Sequence, residues 1–139
     1  LRRLTSSALT REREVTEGRV KALRDMALQV SGFLRAAIFD QGTGVVAAQV
    51  GPSTSEDWFP DSSAVDALRK HTLALRAAGA PGRLEDIIVT LSNQIQFLTA
   101  IDSTGVLFVA ADRDLTNVAI LRSVAARCAD ALRKEVQRQ

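Results

Sequence analysis

Three β-rich runs near the end of the chain, residues 84–91, 95–101 and 106–111, are separated only by Ser92-Asn93-Gln94 and Asp102-Ser103-Thr104-Gly105. A parallel crossover needs about a dozen residues or more, whereas short connections rich in Ser, Asn, Asp and Gly close antiparallel turns. The three runs are therefore predicted to form an antiparallel meander. A meander has apolar faces that other elements must cover, so the upstream sequence has to supply helices and further strands.

It supplies both. Val15, Ala22, Leu23, Met26, Ala27 and Val30 recur at spacings of three, four and seven, one buried stripe of a helix over 16–30 that extends backwards through Leu4 and Ala8. Gly32 is placed to cap it in the left-handed region. The period then changes to two: Leu34, Ala36 and Ile38 alternate with Phe33, Arg35, Ala37 and Phe39, a strand over 33–39. Asp40-Gln41-Gly42-Thr43-Gly44 reverses the chain into an apolar run over 45–50, completing a hairpin. Residues 51–61 form a polar loop with Trp58 and Phe59 as aromatic anchor, Trp58 read as a lid over the edge of the core.

A second helix is capped by residues 61–63 with Asp66 as capping-box acid. It places Val65, Leu68, Thr72 and Leu75 on one face and stops near residue 78, before Gly79 and Pro81. Ile120, Leu121, Val124, Cys128, Leu132 and Val136 mark a long final helix, opened by a cap at Thr116 or Asn117. The predicted order is α-β-β-α-β-β-β-α, an α+β arrangement. No repeat, low-complexity tract or Pro/Gly linker divides it, and 139 residues suit one domain. Residues 1–14 are read as a basic helical extension and 15–139 as the domain.

The apolar fraction of 46% and charged fraction of 24% belong to a globular protein, and no run approaches the ~18 apolar residues of a membrane span. The segment 1–13 lacks the apolar stretch of a signal peptide, and a start at Leu1 rather than Met points to a missing or processed upstream segment. A single cysteine, Cys128, on an apolar helix face, fits the core of a protein in a reducing compartment, so a cytoplasmic location is expected.

Net charge is +2, but residues 1–35 carry eight Arg/Lys against four acids, 36–111 four against eight, and 112–139 six against four. The terminal arginines alternate with Glu12, Glu14, Glu17, Asp112, Asp114 and Glu135, the pattern of solvated helix faces rather than of a phosphate-binding surface. Nucleic acid is not expected as a partner.

Catalytic chemistry is sparse. His71, the sole histidine, lies mid-helix beside Lys70, and no tyrosine is present. Glu56/Asp57/Asp61 and Glu85/Asp86 have no companion at a metal-ligand spacing. Lys21, Lys70 and Lys134 all fall inside predicted helices, so no phosphate loop can be written. Gly42-Thr43-Gly44 with Ala47 matches a dinucleotide pattern, yet a strand rather than a helix follows it. No catalytic, metal or cofactor residue is assigned, and a non-enzyme is expected.

The run from Gly32 to Gly42, the polar loop before the second helix, Asp86-Ile87-Ile88-Val89-Thr90-Leu91, and Leu107-Phe108-Val109-Ala110-Ala111 followed by Asn117 and Leu121-Arg122 together resemble the Roadblock family, the dynein light chains and their bacterial relatives. The resemblance covers about residues 15–137; profilin-like and longin-like domains share part of the layout. It implies a five-stranded antiparallel sheet of order 2-1-5-4-3, the first and last helices on one face and the second on the other. It further implies a homodimer formed through the third strand and second helix, and a role in regulating or scaffolding small Ras-like GTPases or motor complexes.

The residues add their own argument, because Ile87-Ile88-Val89 on an edge strand has no Pro, Lys or Gly to block pairing. Asp86, Ile87, Ile88, Val89, Thr90, Leu91, Leu68 and Leu75 are expected at the dimer interface, and the loop arginines Arg83 and Arg113 as partner contacts. The alternative is a sensory or ligand-binding domain with Trp58, Phe59 and Phe97 around a pocket, and a weaker one is anion binding through Arg2, Arg3, Arg11 and Arg13.

Overall fold

The computed structural model describes residues 6–51 and 62–137. They form α1 (Ser6–Ala27), β1 (Phe33–Asp40), β2 (Val46–Val50), α2 (Ser62–Ala77), β3 (Asp86–Thr90), β4 (Gln94–Ala100), β5 (Gly105–Asp112) and α3 (Val118–Gln137). The five strands make one sheet of order β2-β1-β5-β4-β3, antiparallel throughout. The meander predicted from the short connections is present, and so is the sheet order that the resemblance implied.

Its turns are held by the polar residues between the runs. Asp102 Oδ1 accepts the backbone N–H groups of Gly105 at 2.6 Å and Thr104 at 3.0 Å, and these bonds hold its carboxyl below the ordinary carboxylate range. Asp40 plays the same part in the β1–β2 turn, where Oδ1 accepts from Gly42 at 2.8 Å and Thr43 at 2.9 Å, with the Thr43 bond the larger cause of its lowered pKa.

Two cores lie on opposite faces. On one, α1 and α3 cover Ala36, Ile38, Ile95, Phe97, Leu107 and Val109 with Leu23, Met26, Leu121, Val124, Cys128 and Leu132. On the other, Ala37, Phe39, Leu98, Val106, Phe108 and Ala110 gather around Leu68 of α2. Cys128 is in the core as expected, and burial pushes its thiol up to about 11.

The two helical ends of the first face meet at one corner. Gly32 has φ +76°, and a Cβ there would stand 2.8 Å from Leu115 Cβ, so both the conformation and the space require glycine. Its carbonyl accepts the Asp112 N–H at 2.7 Å, and the Thr116 hydroxyl reaches the carbonyls of Ser31 at 2.8 Å and Asp112 at 2.6 Å. Asn117 is the cap of α3, its Oδ1 accepting the Ile120 N–H at 3.1 Å.

The structure corrects several boundaries. The first helix ends at Ala27 rather than residue 30, with Gln29 and Val30 in a following turn, and it begins by Ser6. Strand three spans five residues rather than eight, Leu84, Glu85 and Leu91 lying outside it. Simple alternation also fails in β1. A register shift between Phe33 and Arg35 puts Leu34 with the α2-side cluster and Phe33 with the α1/α3 side, the reverse of the two-residue period. Trp58, Phe59, Leu4, Arg2, Arg3 and the cap at Asp61 lie outside the described residues.

Candidate functional site

The residues expected at an interface converge on β3 and the helix above it. β3 pairs with β4 on one side, and among the described residues no strand lies on the other. Which groups it leaves open follows from the ladder. The Leu91 N–H donates to the Gln94 carbonyl at 2.8 Å and the Ala100 N–H to the Glu85 carbonyl at 3.2 Å, so the odd-numbered residues bond towards β4. Antiparallel strands alternate, and Asp86, Ile88 and Thr90 therefore turn N–H and C=O to the open edge.

Side chains alternate as well. Ile87 packs on the α2-side cluster and Val89 shares its face, whereas Asp86, Ile88 and Thr90 lie on the α3 side. Ile88 is 38% exposed at this edge. The Asp86 carboxylate is held by the Arg122 guanidinium of α3 at 3.2 Å, the ion pair that ties α3 to the edge strand. Leu91 sits just past the strand, exposed at the turn.

α2 covers the second face sparingly. Leu68 is buried, Thr72 and Leu75 are half-buried, and Leu73 is 56% exposed. Arg69 anchors the helix sideways, donating to the carbonyls of Gln41 and Gly42 in the β1–β2 turn, so its tether lies away from β3. Of the two loop arginines, Arg113 is engaged: its N–H meets the Asn93 carbonyl and its Nη1 the Leu91 carbonyl, each at 3.3 Å, clamping the β3–β4 turn. Arg83 is exposed ahead of β3. The structure thus brings Asp86 to Leu91 together along one edge, with Arg113 at its end.

Sequence reading missed Arg122 and Arg69. Both stand on helices whose charged faces looked uniformly solvated, and only the fold brings one to Asp86 and the other to a hairpin carbonyl.

Other chemistry is thin. Phe97 is closed in the core between the sheet and α3, 1% exposed. A groove of about 400 Å³ runs between α1 and α3, with Met26, Val124 and Cys128 at its base and Lys21, Asp25, Arg127 and Glu135 along it. His71 is exposed, and no group of three or more His, Cys, Asp or Glu side chains among the described residues could hold a metal. No described helix is long and apolar enough to cross a membrane.

An antiparallel sheet of order 2-1-5-4-3, flanked by the terminal helices on one side and the middle helix on the other, is the Roadblock/LC7 fold. The gliding protein MglB of Thermus thermophilus superposes with a TM-score of 0.72 over 90% of this chain and 93% of its own, at 14% identity. A Roadblock/LC7 domain of Streptomyces avermitilis gives 0.72 over 85% and 97% at 19% identity. An MglB with a tetrameric arrangement gives 0.70 over 86% and 88% at 15% identity. The resemblance read from the sequence is borne out as a fold. Neither a protein-family model nor a curated protein matches the sequence.

Proposed function

We propose that this chain is a non-enzymatic module that pairs with a second copy through β3 and α2 and uses the dimer to engage another protein, foremost a small Ras-like GTPase. The observation that carries the reading is the open edge: Asp86, Ile88 and Thr90 present ladder groups that meet no strand among the described residues, beside the apolar side chains of Ile87 and Val89. An edge this apolar, without Pro, Lys or a bulge, is a pairing template that folded proteins cover. A second copy offers the same edge, and its α2 extends the thin cover over the second face. The tetrameric arrangement of an MglB supports self-association for a chain of this shape. The GTPase partner rests on the family resemblance and on the lack of catalytic groups in the described residues.

Sedimentation equilibrium tests the first half: a dimer weakened by Val89→Lys, but not by Thr43→Lys in the exposed β1–β2 turn, supports it, and a wild-type monomer at 100 μM (about −5.5 kcal/mol of association) refutes it. For the second half, immobilised protein is titrated with purified small GTPases. Binding that differs between the GTP-analogue and GDP states supports regulation; equal or absent binding across them removes the GTPase reading.

A further inference from the structure

The outward groups of β3 also determine how two copies line up. In an antiparallel pair related by a two-fold axis, outward residues must face outward residues, which sets the axis level with a residue, and only the levels of Ile87, Ile88 and Val89 keep about four or more ladder bonds within the strand. With the axis at Ile87, Asp86 faces the partner's Ile88 and Glu85 faces the partner's Val89, setting carboxylates against apolar side chains. At Val89, Ile88 and Thr90 face each other, but Asp86 is left opposite the partner's Ser92, beyond the end of the strand. At Ile88, Asp86 faces the partner's Thr90, Ile88 faces Ile88 of the partner subunit, and every outward N–H and C=O of the strand is used.

We infer that two copies of this chain pair with Ile88 on the two-fold axis, an inference that rests on the β3 dimer proposed above. This register makes about six ladder bonds where either neighbour makes about four. It also matches side chains on both faces. On the α2 side Ile87 stands opposite the partner's Val89 in a close, non-hydrogen-bonded pair, and Val89 opposite the partner's Ile87. On the α3 side the two Ile88 side chains meet beside the axis, and the Thr90 hydroxyl lies across from an Asp86 carboxylate that Arg122 already balances at 3.2 Å. The open edge is thus self-complementary at one register.

Disulfide trapping tests it. Ile87→Cys and Val89→Cys chains carrying different tags are mixed and oxidised, with Cys128 retained because it is buried on the face of α3 that packs against α1. The Ile88 register places these two positions opposite each other at about 4.5 Å between Cα atoms, and like positions on a longer diagonal, so the mixed disulfide should exceed either homodisulfide several-fold. A dominant Val89→Cys homodisulfide moves the axis to Val89, a dominant Ile87→Cys homodisulfide moves it to Ile87, and either overturns the inference while leaving the β3 dimer standing. A wild-type chain that sediments as a monomer, or a dimer that cross-links at neither position, overturns the β3 dimer as well.

Amide exchange on the wild-type chain needs no substitution. Concentration-dependent protection of the Asp86, Ile88 and Thr90 amides together supports the Ile88 register. An Asp86 amide that stays open points to the Val89 axis, and a Thr90 amide that stays open to the Ile87 axis.

Discussion

Ile88→Pro should separate assembly from folding. The Ile88 N–H points away from β4, so proline at this position removes no bond within the sheet. Across the two-fold axis both bonds of the central pair need that N–H, and both copies carry the substitution, so both are lost. At ~0.5–1.5 kcal/mol net per bond, the dimer loses ~1–3 kcal/mol, a rise in Kd of roughly 5- to 150-fold before any clash of the rings. The monomer loses a partly exposed side chain, about 1 kcal/mol. Val89→Pro is the control. Its N–H bonds towards β4, so the same change removes a ladder bond from the fold itself and leaves the Gln96 carbonyl without its donor, a further ~1–3 kcal/mol. Sedimentation velocity over a concentration series gives Kd, and thermal melts at dilutions where the wild-type chain is monomeric give fold stability. An Ile88→Pro chain that dimerises like wild type, or one that melts as early as Val89→Pro, refutes the reasoning.

Leu68→Ala removes the buried anchor of α2 and should cost ~2–5 kcal/mol in urea unfolding, unless α2 contributes nothing to the second core. Cys128, with its thiol pushed up to about 11, should be about one part in a thousand thiolate at pH 8, so a disulfide reagent should react only as fast as the chain opens. Its stabilising contribution is complete below the unfolded value of 9.0 and is lost as pH rises towards 11, which Cys128→Ala should abolish in an alkaline unfolding series. Asp102 has the opposite sign: its lowered pKa favours the fold above the ordinary carboxylate range and is lost as pH falls through the folded value, so Asp102→Asn should flatten acid unfolding. With a bound GTPase, Arg83→Ala and Arg113→Ala should change hydrolysis by less than about tenfold, since Arg113 clamps the β3–β4 turn; a loss near a thousandfold with binding intact would make either a catalytic group.

The parts of this fold that could be read from the sequence are those written in spacing. Connections of three and four residues dictate the meander, and the stripe through Leu121, Val124, Cys128 and Leu132 dictates α3. The bulge at Leu34 was not readable because nearly every residue from Phe33 to Phe39 is apolar, and such a run fits either face in either register. The backward extent of α1 was equally hidden: Arg11, Glu12, Arg13 and Glu14 carry no apolar stripe, so only intrinsic helix preference marks them. At the candidate site, the apolar edge was visible in Ile87-Ile88-Val89, but which residues turn outward depends on the Leu91–Gln94 and Glu85–Ala100 bonds. Arg122 reaches Asp86 across 36 positions of sequence, a distance no local pattern spans.

The centre of the sheet joins strands from opposite ends of the chain: Ile38 of β1 lies against Leu107 of β5, and β5 is buried along six consecutive residues. Such a contact cannot form early. During synthesis the first hairpin and α1 must wait for nearly the whole chain before either core can close, and folding led by so distant a pairing is slow beside that of a helical bundle of similar length. A nascent chain stopped before Gly105 carries its apolar strands without the one that lies between them, which makes the unfinished protein, rather than the finished fold, the species that most needs a chaperone.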